Sequence, residues 1–182
     1  MGKTFDSILD TRLAIFTKEN DTYTKAQYGS KLEHNAIDAM FPLLSHIQSQ
    51  KMNNKVIYCA MLDFETAYPL VSRPQLYLNL HDRGIQDPML TVLKSLTKTH
   101  HVRVLHPYIK EHEYVEIQRG LAEGSALSPR LYAMFLSSLL QRLRDRFPNV
   151  TCAGRNAPQW IGPLAYVDDL CLCVESISFF PY

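Results

Sequence analysis

The stretch from Leu164 to Leu172 constrains this chain more than any other. It reads Leu164-Ala165-Tyr166-Val167-Asp168-Asp169-Leu170-Cys171-Leu172, two adjacent acids inside an apolar tract. Short apolar runs on either side of a polar pair predict two buried strands joined by a tight turn, with the acids at the turn. A carboxylate is costly to bury unless a cation meets it. No Lys or Arg lies nearby in sequence. A divalent metal is the natural partner, and metal pairs held by carboxylates serve phosphoryl and nucleotidyl transfer.

The rest of the chain sets the frame for that turn. Its 182 residues, 46% hydrophobic and 20% charged, suit one domain with a buried core. The net charge of +1 carries no global basicity, so any nucleic-acid contact must come from local features. Cys59, Cys152, Cys171 and Cys173 fit neither a zinc spacing nor a disulfide framework. They read as reduced, packed thiols of an intracellular protein, nuclear or cytoplasmic. The longest apolar run, residues 56–62, is far too short to span a bilayer, and the N-terminus has no apolar signal core. No membrane partner is expected.

Apolar periodicity predicts helices over residues 5–16 and 33–48, the second with a kink or break at Pro42. Residues 19–30 read as a polar loop and 52–55 as a turn. Residues 56–63 predict a buried strand ending on Asp63. Residues 74–83 and 88–98 predict a helix pair, each with proline at its start and Gly84 between. Residues 102–105 and 114–117 predict a hairpin joined by 107–113. Residues 118–125 form a glycine-bearing loop, after which Ser128 caps a long helix with Pro129 at its first position. Residues 149–163 read as a loop and 164–175 as the acid-bearing hairpin. The order predicts an α+β fold, a small antiparallel sheet packed on helices.

Asp63 by itself reads equally as a cap, a salt-bridge partner or a metal ligand. With Asp168 and Asp169 in view, neighbouring strand ends about 5 Å apart bring these acids around one metal pair. Hard oxygen donors suit Mg²⁺ or Mn²⁺. Gly120 and Gly124 allow positive φ and close backbone approach to a ligand, and their loop feeds a helix N-terminus that favours anions. An ordinary turn and cap is the plainer reading of the same residues.

Three ordered blocks then carry a resemblance. Met61-Leu62-Asp63-Phe64-Glu65-Thr66-Ala67-Tyr68 is an acid followed five residues on by an aromatic. Arg119-Gly120-Leu121-Ala122-Glu123-Gly124-Ser125-Ala126-Leu127-Ser128-Pro129 resembles a G-x-x-Q-G-x-x-x-S-P block, and Tyr166-Val167-Asp168-Asp169 a Y-x-D-D motif. Gln27-Tyr28-Gly29-Ser30-Lys31 is similar to a Q-x-G-F-R fingers motif. Together they resemble the reverse transcriptases, RNA-directed DNA polymerases, of the non-LTR, LINE-like retrotransposon type. The resemblance covers nearly the whole chain. It implies a palm with a partial, mainly helical fingers region and no counterpart of the thumb. Residues 1–182 then form one reverse transcriptase domain, about 1–54 fingers-like and about 55–182 palm with an interleaved fingers hairpin.

By that resemblance Asp63 and Asp168 are metal ligands, Asp169 is their partner acid, and the Phe64 carbonyl adds a metal contact. The metal is two ions of Mg²⁺ or Mn²⁺. Tyr68 lies under the incoming sugar and excludes a ribose 2′-hydroxyl; a core aromatic after a strand is its structural reading. Glu123, Gly124 and Lys31 attend the nucleotide, while Gly120, Arg119 and Tyr166 attend template and primer. The implied partners are an RNA template, a DNA primer and dNTPs. Two departures favour an alternative, a catalytically dead or truncated remnant acting at most as a nucleic-acid or protein interaction module. Pro69 stands where the family has Asp, and Glu123 where it has Gln, which removes an amide donor and adds charge.

Overall fold

The computed structural model describes residues 2–98, 100–103, 114–146, 151–153, 158–160 and 162–174. The acid-bearing hairpin forms where the alternation places it. β6 (Leu164–Tyr166) and β7 (Asp169–Val174) pair antiparallel, with Tyr166 opposite Asp169 across the turn. β1 (Tyr58–Leu62) adds to the other side of β7, giving a sheet of order β1-β7-β6. Side chains alternate between the faces of β7. Leu170 joins the main core, whereas Cys171 and Cys173 join Leu164 in a smaller cluster against Tyr28, Leu43 and Ile57.

The helices fall close to their predicted places. They are α1 (Gly2–Glu19), α2 (Ala36–Met52), α3 (Arg73–Asp82), α4 (Met89–Lys98) and α5 (Ser128–Arg146). Leu9 and Leu13 of α1, Leu76 and Leu80 of α3, Leu93 of α4 and Leu140 of α5 are buried together. Each such side chain contributes about 1.5–3 kcal/mol on burial, so this cluster dominates the stability of the fold. β2 (His100–Arg103) and β3 (Tyr114–Ile117) form the expected antiparallel hairpin. Its connection at 107–113 lies outside the described residues, as do Leu105, Phe147 and Glu175. Among the described residues, no helix is long and apolar enough to cross a membrane.

Four expectations need correction. Helix α2 runs through Pro42, so of the kink or break expected there the break does not occur. Its start is fixed by a capping box, in which the Asn35 side chain accepts from the Ile37 and Asp38 amides and Asp38 returns the bond to Asn35 N–H. Strand β1 is not buried. Met61 is 71% exposed, because among the described residues β1 is an edge strand and Met61 faces an open cavity. A continuous apolar run marks a strand covered on both faces only when further layers exist to cover it. Residues 149–163 are not all loop: β4 (Thr151–Ala153) and β5 (Pro158–Trp160) pair antiparallel. Three-residue strands are too short to show a period. Finally, Ser128 is itself the first helical residue, and its hydroxyl donates to the Ala122 carbonyl at 2.6 Å instead of closing the helix end.

Candidate active site

Strand register brings the acids together. Leu62 lies opposite Leu170 on β7. One residue further on, Asp63 follows β1 at the level where Asp169 opens β7, on strands about 5 Å apart. Asp63 and Asp169 line one cavity of about 470 Å³ with Tyr166, Met61 and Leu43. Asp168 sits on the turn between β6 and β7, and its field reaches two phenols. Tyr132 is pushed up to about 12, first by burial, then by the Asp168 charge and by Tyr68. Tyr68 is raised too, by burial and then by Asp168. The two rings meet edge to face with centroids 5.4 Å apart. Asp168, Tyr68 and Tyr132 are therefore neighbours at the mouth of β1 and β7.

The acids are more open than the sequence predicts. Asp63 and Asp169 are exposed and Asp168 half-buried. Their desolvation cost is small, and among the described residues none of them forms a salt bridge. Among the described residues, no three His, Cys, Asp or Glu side chains converge tightly enough to cage an ion. That is compatible with Mg²⁺, which binds through one or two carboxylates plus substrate phosphates instead of an all-protein cage. The donor set fits: hard, uncompensated carboxylate oxygens at the ends of paired strands. The Phe64 residue that follows Asp63 packs half-buried against the core.

The glycine loop divides into a fixed half and an open half. Gly120 has φ 89°, and a Cβ there would lie 2.6 Å from the Pro69 carbonyl oxygen. Its N–H donates to the Val71 carbonyl at 2.8 Å, and Leu121 N–H donates to the Tyr68 carbonyl at 2.9 Å. Gly120 thus seats the loop on the turn carrying Tyr68, and Pro69 is the surface it seats on. Gly124 has φ 77° with nothing within 4 Å of an added Cβ, and Glu123 beside it is exposed. This half faces open space.

Lys31 is not brought to the acids' cavity. Its Nζ donates to the Thr24 carbonyl at 3.0 Å and lies over the Tyr23 ring, in a separate hollow with Asp21 and His34. Burial lowers its pKa, partly opposed by Asp21. The Arg119 side chain is exposed, beside the seated Gly120.

Several supporting residues carry no sequence signal. Arg73 is 4% exposed, and its guanidinium donates to the carbonyls of Gly120 at 2.9 Å, Ile117 at 2.8 Å and Arg119 at 3.2 Å. It ties the loop to the start of α3. Asp6 of α1 accepts from the Ser125 hydroxyl at 2.6 Å, next to Gly124. Arg130 pairs with Asp10 at 2.6 Å and also donates to the Ser30 carbonyl. Gln27, buried at 0% exposure, bonds to Val167 inside the acid-bearing turn. Only Gln27 stood in a motif that could have flagged it.

Comparison with known proteins places the chain. The sequence model of the family described as reverse transcriptase (RNA-dependent DNA polymerase) matches residues 1–179. Over 131 residues the chain is 28% identical to the retrovirus-related Pol polyprotein from type-1 retrotransposable element R2 of Popillia japonica, covering 71% of this chain and 21% of that protein. Its fold is similar to apo telomerase from Candida tropicalis truncated from its C-terminal domain, with TM-score 0.62 and 12% identity over 94% of this chain and 34% of that one. It is also similar to telomerase from Candida albicans in complex with a fragment of telomeric RNA, with TM-score 0.53 and 13% identity over 95% of this chain and 30% of that one. The chain spans about a fifth of the curated relative's length.

Proposed function

The chain belongs to the reverse transcriptase (RNA-dependent DNA polymerase) family, and on that premise we propose that it is the RNA-directed DNA polymerase domain of a mobile element, adding dNTPs to a primer 3′-hydroxyl on an RNA template. The observation that carries this is the placement of Asp63 and Asp169 at one cavity by the β1–β7 register, with Asp168 on the adjoining turn. Two Mg²⁺ or Mn²⁺ ions, when bound, activate the 3′-hydroxyl and offset charge on the leaving pyrophosphate.

The chain's own residues do the rest. Asp63, Asp168 and Asp169 hold the ions, with the Phe64 carbonyl as a further donor. Tyr68, braced edge-on by Tyr132, stands under the sugar and disfavours a 2′-hydroxyl. Burial and then the Asp168 charge raise its phenol above the ordinary tyrosine range. Gly124 leaves the backbone open to the base pair, with Glu123 at its edge. Arg119 is exposed, where it can meet a template phosphate, and Tyr166, which lines the acids' cavity, attends the primer. Lys31 is held over the Tyr23 ring and on the Thr24 carbonyl in this structure, and a triphosphate contact requires it to swing out of that hollow. The site of action is intracellular, nuclear or cytoplasmic, where RNA template and dNTPs occur.

Primer extension on an RNA template with dNTPs and Mg²⁺ or Mn²⁺ tests the proposal. Asp168→Ala is expected to abolish extension while leaving the thermal melt in place, because Asp168 has no stabilising partner among the described residues. Equal extension by Asp168→Ala refutes it. The exposed Glu123, in place of a neutral amide, favours a second reading, a remnant that folds without polymerising. Calorimetric titration of Mn²⁺ in the presence of nucleotide and primer–template separates the two. Binding abolished by Asp63→Ala supports the polymerase, and no binding by the wild type supports the remnant.

A further inference from the structure

The acid-bearing turn has a backbone its own sequence does not favour. Val167 sits at φ 58°, a region β-branched residues rarely occupy. Strain of this kind persists only where the surroundings over-determine it. Here the surroundings are residues 26–29, which run beside β6. Ala165 N–H donates to the Ala26 carbonyl at 2.8 Å, and Tyr28 N–H donates to the Ala165 carbonyl at 2.8 Å.

The Gln27 side chain then grips Val167 by both of its backbone groups. Val167 N–H donates to Gln27 Oε1 at 3.0 Å, and Gln27 Nε2 donates to the Val167 carbonyl at 3.3 Å. The same Oε1 accepts from Gly29 N–H at 2.9 Å. A side-chain amide offers an acceptor and donors on one rigid plane, which a hydroxyl or a carboxylate does not. Gly29 completes the fit, since a Cβ there would lie 2.4 Å from Val167 N and 3.0 Å from the Tyr166 carbonyl carbon. The far side of the segment is held as well, by Arg130 on the Ser30 carbonyl.

We propose that Gln27 is a positioning residue for nucleotidyl transfer. It acts through Val167 to hold the strained turn that presents Asp168 and Asp169, with Gly29 as the seat against which the turn rests. This rests on the polymerase reading of the carboxylates. Relaxation of Val167 toward negative φ swings the peptide that leads into Asp168, and a misplacement of about 1 Å at reacting groups costs about 100-fold in rate.

The test uses the whole 182-residue chain and the variants Gln27→Met, which keeps the length and loses the polar atoms, and Gln27→Glu, which keeps an acceptor. Hydrogen exchange at the Val167 amide, followed by NMR, reads the clamp without reference to activity. Mn²⁺ titration without nucleotide reads the carboxylates, and primer extension reads kcat and KM separately. In Gln27→Met we expect Val167 exchange about 10-fold faster or more with helix protection unchanged, weaker Mn²⁺ binding, and kcat down by about 100-fold with KM for dNTP little altered. Gln27→Glu is expected to recover part of the Val167 protection through its acceptor. If Gln27→Met loses its cooperative melt, Gln27→Glu carries the test, with changes in the same direction. Wild-type exchange, Mn²⁺ affinity and kcat in a folded variant overturn the proposal. A wild-type chain that neither binds Mn²⁺ nor extends a primer overturns the polymerase reading, while Val167 exchange still decides whether Gln27 holds the turn.

Discussion

Two glycines of one loop are expected to respond very differently to the same added methyl group. Gly120→Ala places a Cβ 2.6 Å from the carbonyl oxygen, 2.8 Å from the Cα and 2.9 Å from the carbonyl carbon of Pro69. All three atoms are backbone, and they belong to the turn that Gly120 and Leu121 bond to, so they cannot step aside cheaply. Gly124→Ala meets nothing within 4 Å. Both residues have positive φ, 89° and 77°, so both substitutions carry the left-handed penalty of about 1–2 kcal/mol. Only Gly120→Ala adds an overpacking cost of about 1–3 kcal/mol. The expected loss is therefore about 2–5 kcal/mol at Gly120 and about 1–2 kcal/mol at Gly124, against a typical domain stability of about 5–15 kcal/mol. Urea unfolding of the two variants beside the wild type measures both. Equal losses at the two positions would show that Pro69 yields, and would remove the argument that this loop is seated by close backbone contact.

Arg73→Ala leaves the carbonyl of Gly120 without its donor in a buried setting, and those of Ile117 and Arg119 in a half-buried one. A loss of more than about 2 kcal/mol is expected in urea unfolding, and Arg73→Lys should recover little of it because one ammonium nitrogen cannot span carbonyls that three separate guanidinium nitrogens reach. The Tyr132 phenol, held near 12 against an ordinary 10.0, gives a pH signature. The folded chain keeps this proton where the unfolded chain releases it, so the stability it carries is complete below pH 10 and lost as pH rises through about 12. Asp168→Asn removes the second cause of the shift, and tyrosinate absorbance should then titrate lower; an unchanged titration would detach Asp168 from Tyr132.

The glycine pair also shows how far the sequence reaches. That loop was legible as a motif, and so was its use of positive φ. Which glycine is packed and which is open was not, because that depends on a turn around Pro69 some fifty residues away. Strand β1 teaches the same lesson from its apolar side. A run of apolar residues records a preference for burial, but Met61 and Leu62 lie at a sheet edge beside an open cavity, where the described residues cover them only in part. The α2 start is offset for a local reason: the Asn35–Asp38 capping box sets it at Ala36, three residues beyond the predicted start at 33.

By itself the sequence determined the periodic elements, the acid-bearing turn and the order of the motif blocks, because each is written in residues close together along the chain. Local alternation and turn chemistry act over a few residues and leave their mark there. The tertiary structure alone decided the register that sets Asp63 level with Asp169, that Arg73 anchors the loop and that Gln27 grips Val167 from 140 residues away. Those relations are fixed by strand register and by the pairing of buried polar groups. A buried donor takes whichever acceptor the folded chain brings within about 3 Å, and no sequence spacing encodes that choice.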